Sequence, residues 1–600
     1  MANEPDNPQD TAPKRRRAQD WRLLRRYWPF VRPELSWLWL GLLAVPVMSV
    51  GGLVQPWLIK EAIDGPITSE LQGRGYAGPW TISLIAAVFL TAVIAEYGFR
   101  GLQLYALQRA GYASLTRLRR GVFAHVLRQS AKFFDKRATG SLLSRTTNDV
   151  EALGEVLTFG IVGIVGDIVD ILAIFAAMVI LDVELTGLTL LVAPAIVLLV
   201  NFFRRQLRKH STEIRRSMAE ASGAFQEALA GAKVVQLHGR RAITVSEYKA
   251  LNYKYLKAYQ LSNWYDASLY AVMDGVASLS IALLIWFAGG RAVQGAVTVG
   301  LLVAFIQYIQ RVFVPIRELS GKVATIERAM AALERIVGLL DIDESLPQGS
   351  HAPTTVAGAI GFANVDFSYD GKTPVLRGVT LQVPAGKVLA LVGPTGSGKT
   401  TVAKLLTRAY AGPTGAIQLD NVAVEQWDLQ ALRRSIGVVQ QDVVLFAGTL
   451  GENVDLGRGL SAQVLRTALE DACLGDVLAR VGGLDAPVGE GGASLSAGER
   501  QLLSIARILA ANPAVVVLDE ATASIDTLTE QRVQAAIERV LVGRTALVVA
   551  HRLSTVRRAD QIAVLRQGEV VECGDHDTLL AAGGLYAQLV AAADRQGAIV

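Results

Sequence analysis

A glycine-rich segment ending in a lysine and a threonine has the residue types of a phosphate-binding loop. Residues 393–400 are Gly-Pro-Thr-Gly-Ser-Gly-Lys-Thr, after the apolar run 388–392 and before the helix-forming run 401–406. A glycine loop between a strand and a helix turns backbone N–H groups toward an anion. Lys399 is then placed to reach the β- and γ-phosphates, and the Thr400 hydroxyl to bind Mg²⁺. A turn that only ends a strand is the alternative, and the Lys-Thr pair argues against it.

Two adjacent carboxylates follow a second apolar strand. Residues 515–518 are Val-Val-Val-Leu, and Asp519 and Glu520 come directly after them. One carboxylate there can hold magnesium through water, and its neighbour can orient or deprotonate an attacking water molecule. The two segments together predict hydrolysis of a nucleoside triphosphate.

The segment between these two stretches resembles a known family. Residues 495–501 are Leu-Ser-Ala-Gly-Glu-Arg-Gln, followed by a helical run. They resemble the signature sequence of ATP-binding-cassette (ABC) proteins, which is usually Leu-Ser-Gly-Gly-Gln. The resemblance begins near Gly361 and continues to the end of the cassette, and it implies that ATP with Mg²⁺ is the bound nucleotide.

The resemblance also assigns roles to individual positions. It implies a nucleotide-binding set of Tyr369, which stacks on adenine, with Gly393, Pro394, Thr395, Gly396, Ser397, Gly398, Lys399, Thr400 and Thr401. It implies a catalytic set of Glu520, Gln441 and His551, and a metal set of Thr400, Gln441 and Asp519 through water. It places Ser496, Ala497, Gly498 and Glu499 as the signature that completes a partner's site, with Glu490 before it and Asp526 in the loop after the second strand.

Composition limits the protein class. At 600 residues, several domains are expected, and 51% hydrophobic residues indicate membrane spans. The net charge of +5, without a patch of mixed basic and aromatic residues, gives no reason to expect a nucleic-acid partner. The two cysteines, Cys473 and Cys573, exclude a disulfide framework and give no zinc site.

The first 34 residues divide into a polar arm and an amphipathic segment. Residues 1–20 are polar, end in a basic cluster and lack the apolar stretch of a signal peptide, so we expect a disordered cytosolic arm. Residues 21–34 mix cations with large aromatics, which predicts an interfacial helix on the inner membrane face. A plain cytosolic amphipathic helix is the alternative.

Six apolar segments predict a bundle of membrane-spanning helices, each long enough for the hydrocarbon core. They are residues 35–59, 80–104, 157–181, 185–203, 269–289 and 299–316. The links after the second and fourth segments are long and rich in arginine, which places them and both termini in the cytosol. We therefore expect a multi-pass protein of the cell (inner) membrane.

The predicted fold is an α-helical membrane bundle with long cytosolic helical extensions, followed by an α/β P-loop ABC ATPase domain. The expected parts after the interfacial helix are a transmembrane domain (35–340), a linker (341–355), a nucleotide-binding domain (356–590) and a tail (591–600). Two cytosolic segments, at about 133–150 and 225–237, resemble the coupling helices of ABC exporters, which press into the cassettes. Solvated charged helices are the alternative for both segments.

Ionisable residues inside the predicted spans mark a candidate substrate cavity. Such groups are rare in a membrane unless they face protein or water. We expect an inward-open cavity lined by Asp167, Asp170, Asp274, Gln307, Gln310 and Arg311. A static Asp–Arg pair that holds the bundle together is the alternative. Glu96 and Arg100, one helical turn apart, are expected to form a local pair.

The signature departs from the family pattern, whereas the chain's own ATP site does not. Ala497 adds a methyl group where backbone approaches the nucleotide, and Glu499 replaces a neutral amide with a carboxylate. Like charges in a poorly solvated gap repel by about 1 kcal/mol or more, so the site completed by this signature should hydrolyse poorly. The asymmetry predicts a second, non-identical half-transporter as partner, and a symmetric homodimer is the alternative.

Function follows from the resemblance. The chain is most similar to bacterial heterodimeric exporters of drugs and lipids and to their peptide-transporting relatives. This implies that hydrophobic or amphipathic substrates (drugs, lipids or peptides) leave the cytosol by alternating access. An ATP-gated channel or receptor on the same fold is a second possibility. The six apolar segments argue against a third, a soluble ABC ATPase.

Overall fold

The computed structural model describes residues 13–596 except 75, 77, 157–160, 294–296, 441, 520–526, 551 and 552. The chain divides into two compact units. One unit combines residues 1–127 and 140–342, and the other combines residues 128–139 and 343–600.

The N-terminal part of the chain is helical. Its helices are α1 (Pro13–Val31), α2 (Leu35–Ala62), α3 (Thr68–Leu71), α4 (Ile82–Leu127), α5 (Ala131–Asp135), α6 (Thr139–Thr146), α7 (Asn148–Glu155), α8 (Ile161–Leu181), α9 (Val183–Leu190), α10 (Ala193–Ala230), α11 (Ala232–Leu237), α12 (Arg241–Val293) and α13 (Val299–Leu340). Side-chain caps set two of the breaks between them. Asp182 accepts from the backbone N–H groups of Glu184 and Leu185 at the start of α9, and Thr298 caps α13.

Six helical stretches among the described residues are long and apolar enough to cross a membrane. They are Trp21–Leu71, Ile82–Leu127, Val162–Leu181, Val183–Ala230, Arg241–Arg291 and Val299–Leu340. The predicted bundle of six spans with long helical extensions is therefore confirmed. The fifth predicted span is the last part of α12, a 53-residue helix that begins within the preceding charged link.

Two predicted terminal segments need correction. Helix α1 begins at Pro13, inside the segment expected to be a disordered arm. Proline fits there because the first helical turn needs no backbone N–H from it. Helix α23 (Leu585–Gln596) likewise extends six residues into the predicted C-terminal tail.

The remaining elements form an α/β domain. Its strands are β1 (Ile360–Phe367), β2 (Leu376–Val383), β3 (Val388–Val392), β4 (Thr414–Leu419), β5 (Val422–Ala423), β6 (Ile436–Val439), β7 (Gly448–Thr449), β8 (Pro487–Val488), β9 (Val515–Asp519), β10 (Thr545–Val549), β11 (Gln561–Arg566) and β12 (Glu569–Gly574). Its other helices are α14 (Lys399–Leu406), α15 (Leu429–Ser435), α16 (Leu450–Asp455), α17 (Ala462–Asp471), α18 (Gly475–Val481), α19 (Ala497–Ala511), α20 (Thr527–Leu541), α21 (Leu553–Val556) and α22 (His576–Ala581).

The larger sheet aligns the strands that precede the predicted site residues. Its order is β12-β11-β3-β10-β9-β6, with parallel pairing from β11 to β6 and an antiparallel β12 at the edge. In the register, Val549 of β10 lies opposite both Leu391 of β3 and Asp519 of β9. The ends of β3, β9 and β10 therefore meet at one edge of the sheet, where ligands of open α/β sheets bind.

A second, four-stranded sheet has the order β2-β1-β4-β5 and is antiparallel. Strands β3, β9 and β10 are apolar almost throughout, because a parallel sheet is covered on both faces. Their side chains divide between two apolar cores, one shared with α14 and the antiparallel sheet, the other with α17, α19 and α20.

A short piece of the helical region belongs to the second unit. Residues 128–139, which include α5, cluster with residues 343–600. The Ala131 backbone N–H donates to the Ala409 carbonyl at 3.3 Å, and Ser130 donates to the carbonyl of Glu344 at 3.1 Å. Phe133 is fully buried. The first predicted coupling segment therefore begins inside the unit that contains the ATPase fold.

Candidate functional site

The phosphate loop follows β3 directly and leads into α14, as the sequence predicts. Gly393 and Gly398 have φ values of +147° and +105°. A Cβ on Gly393 would lie 2.1 Å from the Leu565 carbonyl oxygen, and one on Gly398 would lie 2.6 Å from the Leu376 side chain. Both positions therefore require glycine for conformation and for space.

Lys399 lies beneath this loop, with only 6% of its surface exposed. Its ammonium group donates to the Gly393 carbonyl and, at 3.2 Å, to the Pro394 carbonyl. Burial lowers the pKa of Lys399, and the nearby charge of Asp519 opposes that effect. A desolvated ammonium group favours an anionic ligand, which fits the predicted contact with phosphate.

Ser397 provides a further observation at the same loop. Its hydroxyl is buried and has no hydrogen-bond partner among the residues that the structure describes. A buried hydroxyl without a partner is costly unless a ligand or water satisfies it. The loop thus offers a hydroxyl and a cation to an anion, and the Thr400 side chain is exposed beside them.

Tyr369 is held beside the loop by two aromatic rings and one hydrogen bond. Its ring packs edge-on against Phe367 and Tyr410, with centroids 4.9 and 4.8 Å away. Its hydroxyl lies 3.1 Å from the Thr401 hydroxyl at the start of α14. These contacts orient the ring close to the predicted phosphate site, where stacking on a nucleobase is expected.

Asp519 ends β9, two strands from β3 in the sheet, and its charge acts on Lys399. Gln441, Glu520, Asp526 and His551 lie outside the described residues, as does the side chain of Glu490. Three of these positions come shortly after β6, β9 and β10, which are adjacent strands. Their catalytic and metal-binding roles remain predictions.

The predicted signature forms the N-terminus of α19. Ser496 is the N-cap residue, and its hydroxyl accepts from the Glu499 backbone N–H at 3.2 Å. The Glu499 carboxylate accepts in return from the Ser496 backbone N–H at 2.8 Å, which completes a capping box. Ser496 and Ala497 are exposed, and Gly498 is buried.

The Glu499 carboxylate, which the sequence predicts to repel the triphosphate, has a positively charged partner. Its second carboxylate oxygen lies 2.7 Å from Nη2 of Arg480 on α18. Partial burial would raise the pKa of Glu499, but hydrogen bonds from Ser496 and Arg480 outweigh it and hold the pKa below its usual value. Sequence spacing gave no sign of Arg480, because the contact joins two helices.

A cavity of about 530 Å³ in the helical unit contains three of the six predicted substrate-cavity residues. Asp167, Asp170 and Arg311 line it, together with Glu96, Arg100 and Lys322. Asp274, Gln307 and Gln310 do not. The other α13 residues in the lining are Val314, Pro315 and Lys322, so the cavity extends from Arg311 away from Gln307 and Gln310. Asp274 lies on α12, and none of the described residues of that helix lines the cavity.

Glu96, rather than an aspartate, is the partner of Arg311. Only 5% of Glu96 is exposed, and it accepts from Gln55 at 2.7 Å and from Arg100 at 3.2 Å. Arg311 donates to Gln55 at 2.7 Å and lies 3.8 Å from Glu96. The local Glu96–Arg100 pair is confirmed, and the alternative of a static Asp–Arg pair does not hold for Arg311, whose partners are Gln55 and Glu96.

The two aspartates have other partners. Asp167 forms an ion pair with Lys322 at 2.7 Å, and Asp170 accepts a hydrogen bond from Ser49. Asp170 is therefore the cavity carboxylate whose hydrogen bond comes from a neutral hydroxyl. The lining is mixed, since the apolar residues Val45, Met48, Leu53, Ile174 and Val314 line the cavity together with these charged side chains.

Comparison with known proteins agrees with this architecture. The ABC transporter transmembrane region family matches residues 38–316, and the ABC transporter family matches residues 376–523. The chain is 33% identical over 579 residues to the ATP-dependent lipid A-core flippase of Chromohalobacter salexigens, which covers 96% of this chain and 98% of that protein.

Two further similarities come from a curated relative and a solved structure. A probable multidrug resistance ABC transporter ATP-binding/permease protein, YheH of Bacillus subtilis, is 34% identical over 513 residues, covering 85% of this chain and 76% of that protein. The structure of a bacterial Atm1-family ABC exporter with ATP bound has a TM-score of 0.73 and 29% identity, covering 95% of this chain and 99% of that chain.

Proposed function

Because the chain belongs to the ABC transporter family, we propose that it is one half of a heterodimeric exporter with two unequal ATP sites. The chain joins a transmembrane region to an ABC ATPase domain and is an exporter subunit that couples ATP hydrolysis to transport. The observation that supports inequality is the contrast within one cassette. Its phosphate loop follows the consensus, whereas its signature helix begins with Ala497 and Glu499 where the family usually has glycine and glutamine.

In the proposed ATP site, this chain contributes every group except the signature. Lys399 and the loop N–H groups hold the phosphates, the Ser397 hydroxyl gains a partner, and Tyr369 stacks on adenine. Magnesium, bound by Thr400, Gln441 and, through water, Asp519, would neutralise charge on the phosphates. Glu520 orients or deprotonates the attacking water, and His551 contacts the γ-phosphate. The partner supplies its own signature across the interface.

The signature of this chain, in turn, completes the partner's site. At the N-terminus of α19 the capping box engages the backbone N–H groups of Ser496 and Glu499. The N–H groups of Ala497 and Gly498 have no carbonyl partner within the helix, and the Ser496 hydroxyl still has its proton to donate. ATP would close the two cassettes in this way, and the segments at 133–150 and 225–237 would transmit closure to the spans. Hydrolysis at the Glu520 site then resets the transporter.

The membrane cavity is the proposed substrate site. Its mixture of apolar and charged lining fits hydrophobic or amphipathic molecules such as drugs, lipids or peptides. The names of two relatives, a lipid A-core flippase and a probable multidrug resistance transporter, support this class. We place the protein in the cell (inner) membrane with both termini in the cytosol, because the arginine-rich links lie on that side by the positive-inside rule.

Substitution of Arg311 tests the cavity. Arg311→Met removes the guanidinium that Gln55 and Glu96 hold at the cavity wall. We expect weaker transport and weaker stimulation of the ATPase by drugs, with basal ATPase activity retained. Unchanged transport together with unchanged drug stimulation would remove the cavity from the mechanism.

Purification of the chain, alone and as the native complex, tests the heterodimer. The expected native mass is that of two different ABC half-transporters, and the chain alone should show little magnesium-dependent ATPase activity. Strong activity from a complex of two identical chains would establish the homodimer instead. A channel or receptor would pass labelled solute through vesicle membranes without net ATP-driven accumulation.

A further inference from the structure

The ion pair between Arg480 and Glu499 joins the signature helix to a neighbouring helix. Arg480 lies in the last turn of α18 (Gly475–Val481), and its Nη2 atom is 2.7 Å from one carboxylate oxygen of Glu499. The other carboxylate oxygen accepts from the Ser496 backbone N–H at 2.8 Å. Both oxygens of Glu499 are therefore engaged, one by the signature backbone and one by the guanidinium.

This arrangement fixes where the negative charge lies. The capping box holds the carboxylate against the first turn of α19, and Arg480 supplies a positive charge at hydrogen-bond distance. Only 17% of the Glu499 side chain is exposed, against 57% for Arg480. Hydrogen bonds from Ser496 and Arg480 hold the pKa of Glu499 below its usual value against the effect of burial, so the carboxylate stays ionised beside the guanidinium.

We propose that Arg480 is a positioning residue for the ATP site that this chain completes in its partner. Arg480 cancels the charge of Glu499 and keeps its carboxylate in the capping box, so that the altered signature still accepts a triphosphate. The inference rests on the proposed role of residues 496–499 as the signature. It also changes the expected behaviour of Glu499, because its repulsion of ATP is largely hidden while Arg480 is present.

Electrostatics sets the size of the effect. A partly exposed ion pair contributes little to folding stability, so loss of Arg480 should leave thermal stability nearly unchanged. Without Arg480, the Glu499 carboxylate is an uncompensated negative charge beside the predicted triphosphate, and at an effective dielectric constant of about 20 we expect its repulsion to weaken binding about tenfold. Arg480→Gln should therefore weaken ATP binding by about tenfold at the site that contains this signature.

The experiment is a double-mutant cycle on the full transporter complex, with Glu520→Gln present throughout to prevent turnover. Binding of radiolabelled ATP is measured by equilibrium dialysis for the parent, Arg480→Gln, Glu499→Gln and the double variant. We expect Arg480→Gln to weaken one class of site about tenfold and to leave the other unchanged. Glu499→Gln should bind at least as tightly as the parent, and Arg480→Gln should have less than a twofold effect in its presence.

Two further variants separate positioning from a structural role. Arg480→Lys keeps the charge and should restore most of the affinity. Arg532→Gln is the matched control, because Arg532 forms an exposed ion pair at 3.0 Å with Asp476 on the same α18, and it should leave ATP binding unchanged. Thermal unfolding of every variant identifies any that are misfolded.

The outcomes distinguish this inference from the proposed function. If Arg480→Gln weakens ATP binding as much in the Glu499→Gln background as in the parent, or has no effect, then compensation of the Glu499 charge by Arg480 is refuted. If the complex contains two copies of this chain, the heterodimer is wrong, and the same cycle then applies to both sites together. If Ser496→Ala, Arg480→Gln and Glu499→Gln all leave ATP affinity unchanged, the signature assignment itself fails.

Discussion

Gly52 on α2 gives a sharp test of the polar network in the helical unit. A Cβ at this position would lie 2.4 Å from Nη1 of Arg311 and 3.7 Å from a carboxylate oxygen of Glu96. Normal contacts need about 3.5 Å. Because Nη1 is the far end of a flexible side chain, Gly52→Ala should displace the guanidinium by about 1 Å rather than move the backbone.

The free-energy change follows from what the displaced guanidinium loses. Its 2.7 Å hydrogen bond to Gln55 is broken and its 3.8 Å approach to Glu96 lengthens. A hydrogen bond to a charged group contributes about 1.5–3 kcal/mol, and alanine in place of glycine in a helix returns about 1 kcal/mol. We therefore expect Gly52→Ala to destabilise the protein by roughly 0.5–2 kcal/mol.

Thermal unfolding of the purified protein in detergent, followed by tryptophan fluorescence, measures this change. Gly338→Ala is the matched control, since Gly338 lies in α13 with nothing within 4 Å of the added Cβ, and it should stabilise the helix by up to about 1 kcal/mol. In an Arg311→Met background, Gly52→Ala should cease to be destabilising. If Gly52→Ala is as stable as Gly338→Ala, the observed placement of Arg311 is refuted.

Three other predictions concern the ATPase domain. Glu520→Gln should retain ATP binding and slow turnover by about 10²–10⁴-fold, measured by phosphate release, and near-normal turnover would overturn its assignment as the base. Asp560 accepts from Lys387, which together with a backbone N–H holds its pKa below the ordinary 3.8. The ionised Asp560 carboxylate therefore stabilises the folded state fully above about pH 4, and this stabilisation is lost as the pH falls through the lowered pKa. Asp560→Asn should flatten the dependence of unfolding temperature on acidic pH, and an unchanged dependence would contradict this. Gly415→Ala forces a positive φ of +83° on alanine and places its Cβ 2.2 Å from the Asn364 carbonyl oxygen, so it should lower stability by roughly 2 kcal/mol or more in urea unfolding.

Local features of the ATPase domain could be predicted from sequence. The apolar run 388–392 predicts the strand before the phosphate loop, and β3 covers the same residues. The second strand, β9, includes Asp519 as its last residue. Both rest on short-range signals, namely an apolar run and the glycine or carboxylate that follows it. Parallel pairing alone then predicts that the ends of these two strands lie at the same edge of the sheet.

Long-range polar contacts could not be predicted in the same way. Glu96 was expected only to pair with Arg100, yet it also approaches Arg311 from another helix. The sequence predicts a carboxylate at Glu499 but gives no sign of the ion pair with Arg480 on another helix. Sequence spacing identifies partners one helical turn apart, whereas these contacts depend on how separate helices pack. Asp274, Gln307 and Gln310 lie outside the cavity lining for the same reason, because the packing of the helices decides which residues line a cavity.

The membership of residues 128–139 in the ATPase unit affects how that domain can be prepared by itself. A fragment starting at residue 343 would leave the Ala409 carbonyl without the Ala131 N–H and the Glu344 carbonyl without Ser130. It would also uncover apolar surface of the core against which Ala131 packs. Genetically joining residues 128–139 ahead of residue 343 through a short glycine-serine tether should yield a soluble fragment, whereas the bare fragment should aggregate at the concentrations needed for spectroscopy.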